Sequence, residues 1–113
     1  MSAVPALLNV LFIIVDDLRP ELGCYNRSLL KTPQIDALAA RSVVFDRAYT
    51  NYAYCAPSRN SLMSGRLPDT TRVWNFLDSF RDPAAVDRAG IPGTSWTSLP
   101  EHFKKHGLSL IHI

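Results

Sequence analysis

Residues 7–15, Leu-Leu-Asn-Val-Leu-Phe-Ile-Ile-Val, form an almost unbroken apolar run rich in β-branched side chains. Apolar residues at successive positions, rather than alternate ones, mark a central parallel strand covered on both faces. Asp16-Asp17 closes the run, and ligands of open α/β sheets bind outside the carboxyl ends of the strands. Residues 23–28 read as a loop. Thr32-Pro33 then pairs an N-cap residue with proline at a first helical position. Ile35, Leu38 and Ala39 share one face of the helix that follows, which should reach about Arg41. Residues 42–49 read as a second strand, with Val43 and Phe45 on one face and Val44 on the other. Residues 51–57 are predicted as a loop, and a short helix over 58–64 stops at Gly65. Pro68, Pro83, Gly90, Pro92 and Gly93 make residues 67–96 mostly irregular. Ser98 and Glu101 form a capping box ahead of Leu99 and Phe103, and Gly107 ends that helix. The order strand, helix, strand, helix, helix predicts an α/β sheet.

Composition supports a soluble globular reading. The chain has 113 residues, 47% apolar and 19% charged, enough for one small domain. Its net charge of +2 is scattered, which argues against a nucleic-acid surface. The run at 7–15 is shorter than the ~20 residues of a membrane span. No lysine or arginine precedes it and two aspartates follow it, so it reads as a buried strand, and no signal peptide is visible in this chain. Cys24 and Cys55 are too few for a disulfide scaffold, although a bridge between them stays open. Asn26-Arg27-Ser28 matches a glycosylation sequon, a weak pointer to secretion.

The stretch richest in chemistry is Cys55-Ala56-Pro57-Ser58-Arg59, followed by Ser64-Gly65-Arg66. A cysteine just before a helix start meets backbone N–H groups and the positive end of the helix dipole. That setting favours a thiolate and also an anion. Arg59, one turn on, adds a planar fork suited to sulfate or phosphate oxygens. Asp16 and Asp17 are hard oxygen ligands suited to Ca²⁺ or Mg²⁺. Cation, arginine and nucleophile position together describe a site for attack on an oxyanion ester. Each has a plainer reading: Cys55 as a buried thiol, Asp16-Asp17 as a solvated strand end, Arg59 as a surface ion-pair partner. His102 and His106 are one helical turn apart but lack the His-Glu-x-x-His order, so they read as solvent-facing. Trp74, Phe76, Phe80 and Trp96 read as core, with a sugar-stacking pocket as the sharper alternative.

Cys-x-Pro-Ser-Arg with a nearby Gly-Arg resembles the sulfatase signature. Cys55, Pro57, Ser58 and Arg59 match it position by position, and Met63-Ser64-Gly65-Arg66 stands where the family usually has Leu-Thr-Gly-Arg. Val15-Asp16-Asp17 looks like the family's first metal-binding pair, and residues 32–39 are similar to the helix that follows it. Asp16-Asp17-Leu18-Arg19-Pro20, Gly23-Cys24-Tyr25 and residues 65–72 resemble the branch acting on 2-sulfated iduronate. The likeness covers about residues 7–107.

The resemblance implies a sulfuric ester hydrolase removing 2-O-sulfate from iduronate in heparan or dermatan sulfate. It implies conversion of Cys55 to formylglycine by a formylglycine-generating enzyme that reads Cys55, Pro57, Ser58, Arg59, Gly65 and Arg66. The hydrated aldehyde would attack sulfur, and its second hydroxyl would help eliminate sulfate. Asp16, Asp17 and residue 55 would hold Ca²⁺, with Mg²⁺ as the other candidate, and Arg59 would neutralise developing charge. A lysosomal or secreted parent follows. So does a fold: the amino-terminal part, residues 1–107, of a large mixed sheet with helices on both faces. Residues 108–113 do not resemble the family and read as a truncation or artefact. The family's later active-site residues are missing, so the chain alone is expected to be inactive on an aryl sulfate, and poorly soluble because of unpaired sheet edges. The alternatives are a related phosphonate or phosphodiester hydrolase, or a non-catalytic truncated domain with Cys55 unmodified.

Overall fold

A computed structural model describes residues 9–110. They fall into two compact units: residues 9–14 with 51–110, and Val15–Thr50.

In the second unit, Gly23–Tyr25 forms a 3₁₀ turn and α1 spans Pro33–Ala39. Proline at the helix start is as expected, but Thr32 does not cap the helix by its side chain. Its hydroxyl accepts from the Gly23 N–H at 3.0 Å and donates to Asp36 Oδ1 at 3.0 Å. Asp36 Oδ1 also accepts from the Cys24 N–H at 2.8 Å. The 3₁₀ turn is thus tied to α1 through one carboxylate. Cys24 carries a free thiol, so the bridge to Cys55 left open by the sequence is not formed.

The first unit contains α2 (Cys55–Ser64), α3 (Pro68–Thr71) and α4 (Leu99–Lys105), with a 3₁₀ turn at Gly93–Ser95. Gly65 ends α2 in the left-handed conformation, φ 66°, its N–H donating to Ser61 O. Val73, Ala85 and Trp96 are buried, and the Trp96 indole donates to Ile91 O at 3.0 Å. The capping box of α4 is present, both Ser98 and Glu101 making their reciprocal bonds. Arg81 joins it to the loop: one nitrogen meets Glu101 Oε2 at 3.0 Å, another the carbonyls of Gly93, Thr94 and Trp96. Lys105 meets the other Glu101 oxygen at 3.2 Å. Held first by Arg81, then by the Ser98 backbone and Lys105, the Glu101 carboxyl drops to about 2.

The predicted strands are not formed among the described residues. Neither 9–15 nor 42–49 joins a ladder, and β pairing among the described residues is the antiparallel bridge Val86–Pro92. A strand is a non-local object: its N–H and C=O groups need a neighbour, and its apolar side chains need a cover. Leu11 and Ile13 are 77% and 71% exposed, and Val43 and Phe45 are 80% and 70% exposed. The apolar pattern is there without the partners that would make it a sheet. Val10, Leu11, Phe12 and Ile14 line a groove with Met63 of α2 and Leu99 and Phe103 of α4.

Candidate active site

Cys55 is the first residue of α2, so the helix begins three residues earlier than the expected Ser58. Pro57 explains how. It sits in the first turn, where a backbone N–H has no intrahelical partner to lose, and it is fully buried. The first helical bond in this turn runs from Ser58 N–H to Tyr54 O at 3.0 Å. Tyr54 supplies no side-chain cap, and the first turn carries no acidic residue. Cys55 is half-buried at this end. Arg59, four residues on and exposed, lies on the same helical face.

Residues outside the motif hold α2 in place. Asn51 Nδ2 donates to the buried Ser61 hydroxyl at 2.8 Å. Asn60 Nδ2 donates to Ala56 O at 2.9 Å, and its Oδ1 accepts from Phe80 N–H at 3.0 Å. Ser64 donates back to Asn60 O at 2.7 Å and accepts from Arg66 N–H at 3.2 Å. The Arg66 guanidinium lies 5.0 Å from the centre of the Trp96 ring and 3.6 Å from Asp87. Sequence reasoning missed Asn51, Asn60 and Asp87. The available signal was Asn60 itself, a poor helix former placed inside a helix.

Pro57, Ser58 and Arg59 thus share one helix with Cys55, and Gly65 and Arg66 close it. Asp16 and Asp17 belong to the other unit. They are exposed, and Asp17 takes the left-handed conformation at φ 50°, which short polar side chains tolerate. Two adjacent carboxylates are hard donors and fit Ca²⁺ or Mg²⁺. A cysteine thiol is a soft donor and fits such an ion poorly, whereas an oxygen at position 55 would fit it.

His102 and His106 are exposed, with ring centres 4.3 Å apart and His106 Nδ1 2.8 Å from His102 O. The four aromatic residues considered for the core divide. Trp96 is buried and Phe80 half-buried, whereas Trp74 and Phe76 are exposed.

The sulfatase family model matches residues 8–112. Over 100 residues the chain is 45% identical to iduronate 2-sulfatase of Mus musculus and 46% identical to that of Homo sapiens. Each match covers 88% of this chain and 16% of the relative. N-sulphoglucosamine sulphohydrolase of Homo sapiens is 47% identical over 93 residues, covering 74% of this chain and 18% of the relative. The chain thus spans under a fifth of the length of each of these relatives.

Proposed function

The chain belongs to the sulfatase family, and from that membership we propose that residues 1–107 are the amino-terminal portion of the catalytic domain of a sulfuric ester hydrolase. Its substrate is 2-O-sulfated iduronate in heparan or dermatan sulfate, and the parent is lysosomal or secreted. In the whole enzyme the apolar segments 9–15 and 42–49 are strands of a mixed sheet with helices on both faces. The observation that carries the reading is the ten-residue α2, which opens on Cys55 and presents Arg59 one turn later.

The formylglycine made from Cys55 by the formylglycine-generating enzyme supplies, when present, the hydrated aldehyde that takes the sulfuryl group from the ester. A divalent cation, Ca²⁺ or else Mg²⁺, polarises the sulfate when bound, and Asp16, Asp17 and the oxygen at residue 55 are the groups that would hold it. The chain's own part is positioning and charge. The start of α2 favours negative charge at residue 55, and Arg59 donates to the sulfuryl oxygens as charge builds on them. Pro57, buried, and Ser61, bonded to Asn51, keep the first turns of α2 from shifting. A displacement of about 1 Å at such a site costs on the order of 10²-fold in rate.

The test is mass spectrometry of the peptide spanning Cys55 in the full-length protein, made with the modifying enzyme, beside hydrolysis of a 2-sulfated iduronate substrate. An aldehyde at position 55 with sulfate release is expected. An active enzyme that keeps the thiol overturns the reading, as does a modified one that cleaves phosphonate or phosphodiester instead.

A further inference from the structure

Asn60 lies inside α2, where its short amide is a poor helix former, so the helix itself does not account for it. Its side chain reaches two backbone groups. Nδ2 donates to Ala56 O at 2.9 Å, and Oδ1 accepts from the Phe80 N–H at 3.0 Å. One end of the amide is a donor and the other an acceptor, so a single orientation satisfies both partners. Both bonds are already made, and all three residues belong to the same compact unit.

The two ends differ in what they hold. Phe80 is a fixed point. Its neighbour Arg81 meets the carbonyls of Gly93, Thr94 and Trp96 and the Glu101 carboxylate. Gly93 also packs so close to the Phe80 carbonyl that a methyl group would not fit between them. Ala56, at the other end, is the residue after Cys55. Its carbonyl belongs to the peptide bond with Pro57, which has no N–H, so hydrogen bonding can hold that plane only through the carbonyl. Pro57 itself is fully buried. With Pro57 fixed, slack at Ala56 is expressed at residue 55.

We propose that Asn60 is a positioning residue for the reaction at residue 55: its amide ties the Ala56 carbonyl to the anchored Phe80 backbone and so keeps residue 55 in place for attack on the ester. The proposal rests on the sulfatase reading above. Asn60 acts through Ala56 and not on the substrate. A nucleophile displaced by about 1 Å loses on the order of 10²-fold in rate, so even a slight slackening is measurable.

The experiment uses the full-length enzyme made with the modifying enzyme, a 2-sulfated iduronate substrate, and rates divided by the aldehyde content found by mass spectrometry. Asn60→Asp keeps the size and the acceptor for Phe80 but loses the donor to Ala56. Asn60→Leu keeps the approximate size and loses both bonds without adding charge. Each should lower kcat about tenfold or more with KM little changed. Amide hydrogen exchange gives a readout apart from turnover. Exchange at Ser58, whose N–H closes the first turn on Tyr54 O, should quicken in both variants. Exchange at Phe80 should quicken only in Asn60→Leu. An unchanged kcat in either variant overturns the proposal. So does a loss confined to Asn60→Asp, which would mark an effect of charge, or exchange quickened throughout residues 51–110, which would mark a general loss of stability. Should the unmutated enzyme release no sulfate while Ser58 still loosens in Asn60→Asp, the hydrolase reading fails and the tether on the start of α2 stands.

Discussion

The two compact units answer the same problem differently. Residues 51–110 close their polar groups on one another: Asn60 on Ala56 and Phe80, Ser64 on Asn60, Arg81 on Glu101 and three carbonyls. They bury Val73, Ala85 and Trp96. In residues 15–50, Leu22 is the buried apolar side chain among those described, while Leu29, Val43, Phe45 and Tyr49 are largely exposed. Both stretches are rich in apolar residues. What separates them is whether the partners lie within reach along the chain. Helices, caps and turns find theirs within a few residues, and strands do not.

The largest expected effects belong to the proposed chemistry. In the full-length enzyme, Cys55→Ala should lower sulfate ester hydrolysis at least ~10³-fold, with no recovery at any cation concentration. Asp16→Asn should also be severe, but partly reversed by raising Ca²⁺, because affinity rather than the nucleophile is lost. Initial rates across a Ca²⁺ series test this, and identical behaviour of the two variants would count against separate roles for Cys55 and Asp16.

Next in size is stability. Trp96→Ala removes a buried ring with its indole bond to Ile91 and its contact with Arg66, and should cost about 3–5 kcal/mol. Phe45→Ala in the chain as it stands should change stability by less than ~0.5 kcal/mol, like other exposed substitutions. Urea melts of both variants measure the contrast. A large loss at Phe45 would mean that residues 15–50 already hold a packed core.

The smallest effect is the pH dependence at Glu101. Its carboxyl is lower in the folded chain, about 2, than its ordinary value of 4.5. Its contribution is therefore complete above about 4.5 and fades as pH falls toward about 2. Glu101→Gln should have a lower Tm than the parent chain at pH 6, and the gap should close as the pH falls through that window. A gap independent of pH would show that the capping geometry matters rather than the charge.

Local signals in the sequence were good guides. Pro33 begins α1, Gly65 ends α2 and the Ser98–Glu101 box begins α4, because each acts on its own turn of backbone. The start of α2 was misjudged because Pro57 was read as a loop residue, although the first turn of a helix accepts it. The apolar runs told what must be buried but not against what. Of the candidate site, the placing of Cys55 and Arg59 one turn apart on a single helix was legible from their spacing. The work of Asn51, Asn60 and Asp87 was not, since it depends on residues brought close only by folding. Arg66 was legible as part of a motif, whereas its seat on Trp96 was not.

Position 93 carries a consequence of a different kind. Gly93 is buried, its N–H donates to Ala85 O at 2.6 Å, and a methyl group there would collide with the Phe80 carbonyl and crowd Ala85. No adjustment of a flexible side chain can relieve a clash with main chain. A Gly93→Ala change should thus lower the amount of folded protein through quality control. A small molecule that favours the native state should raise the level of such a variant.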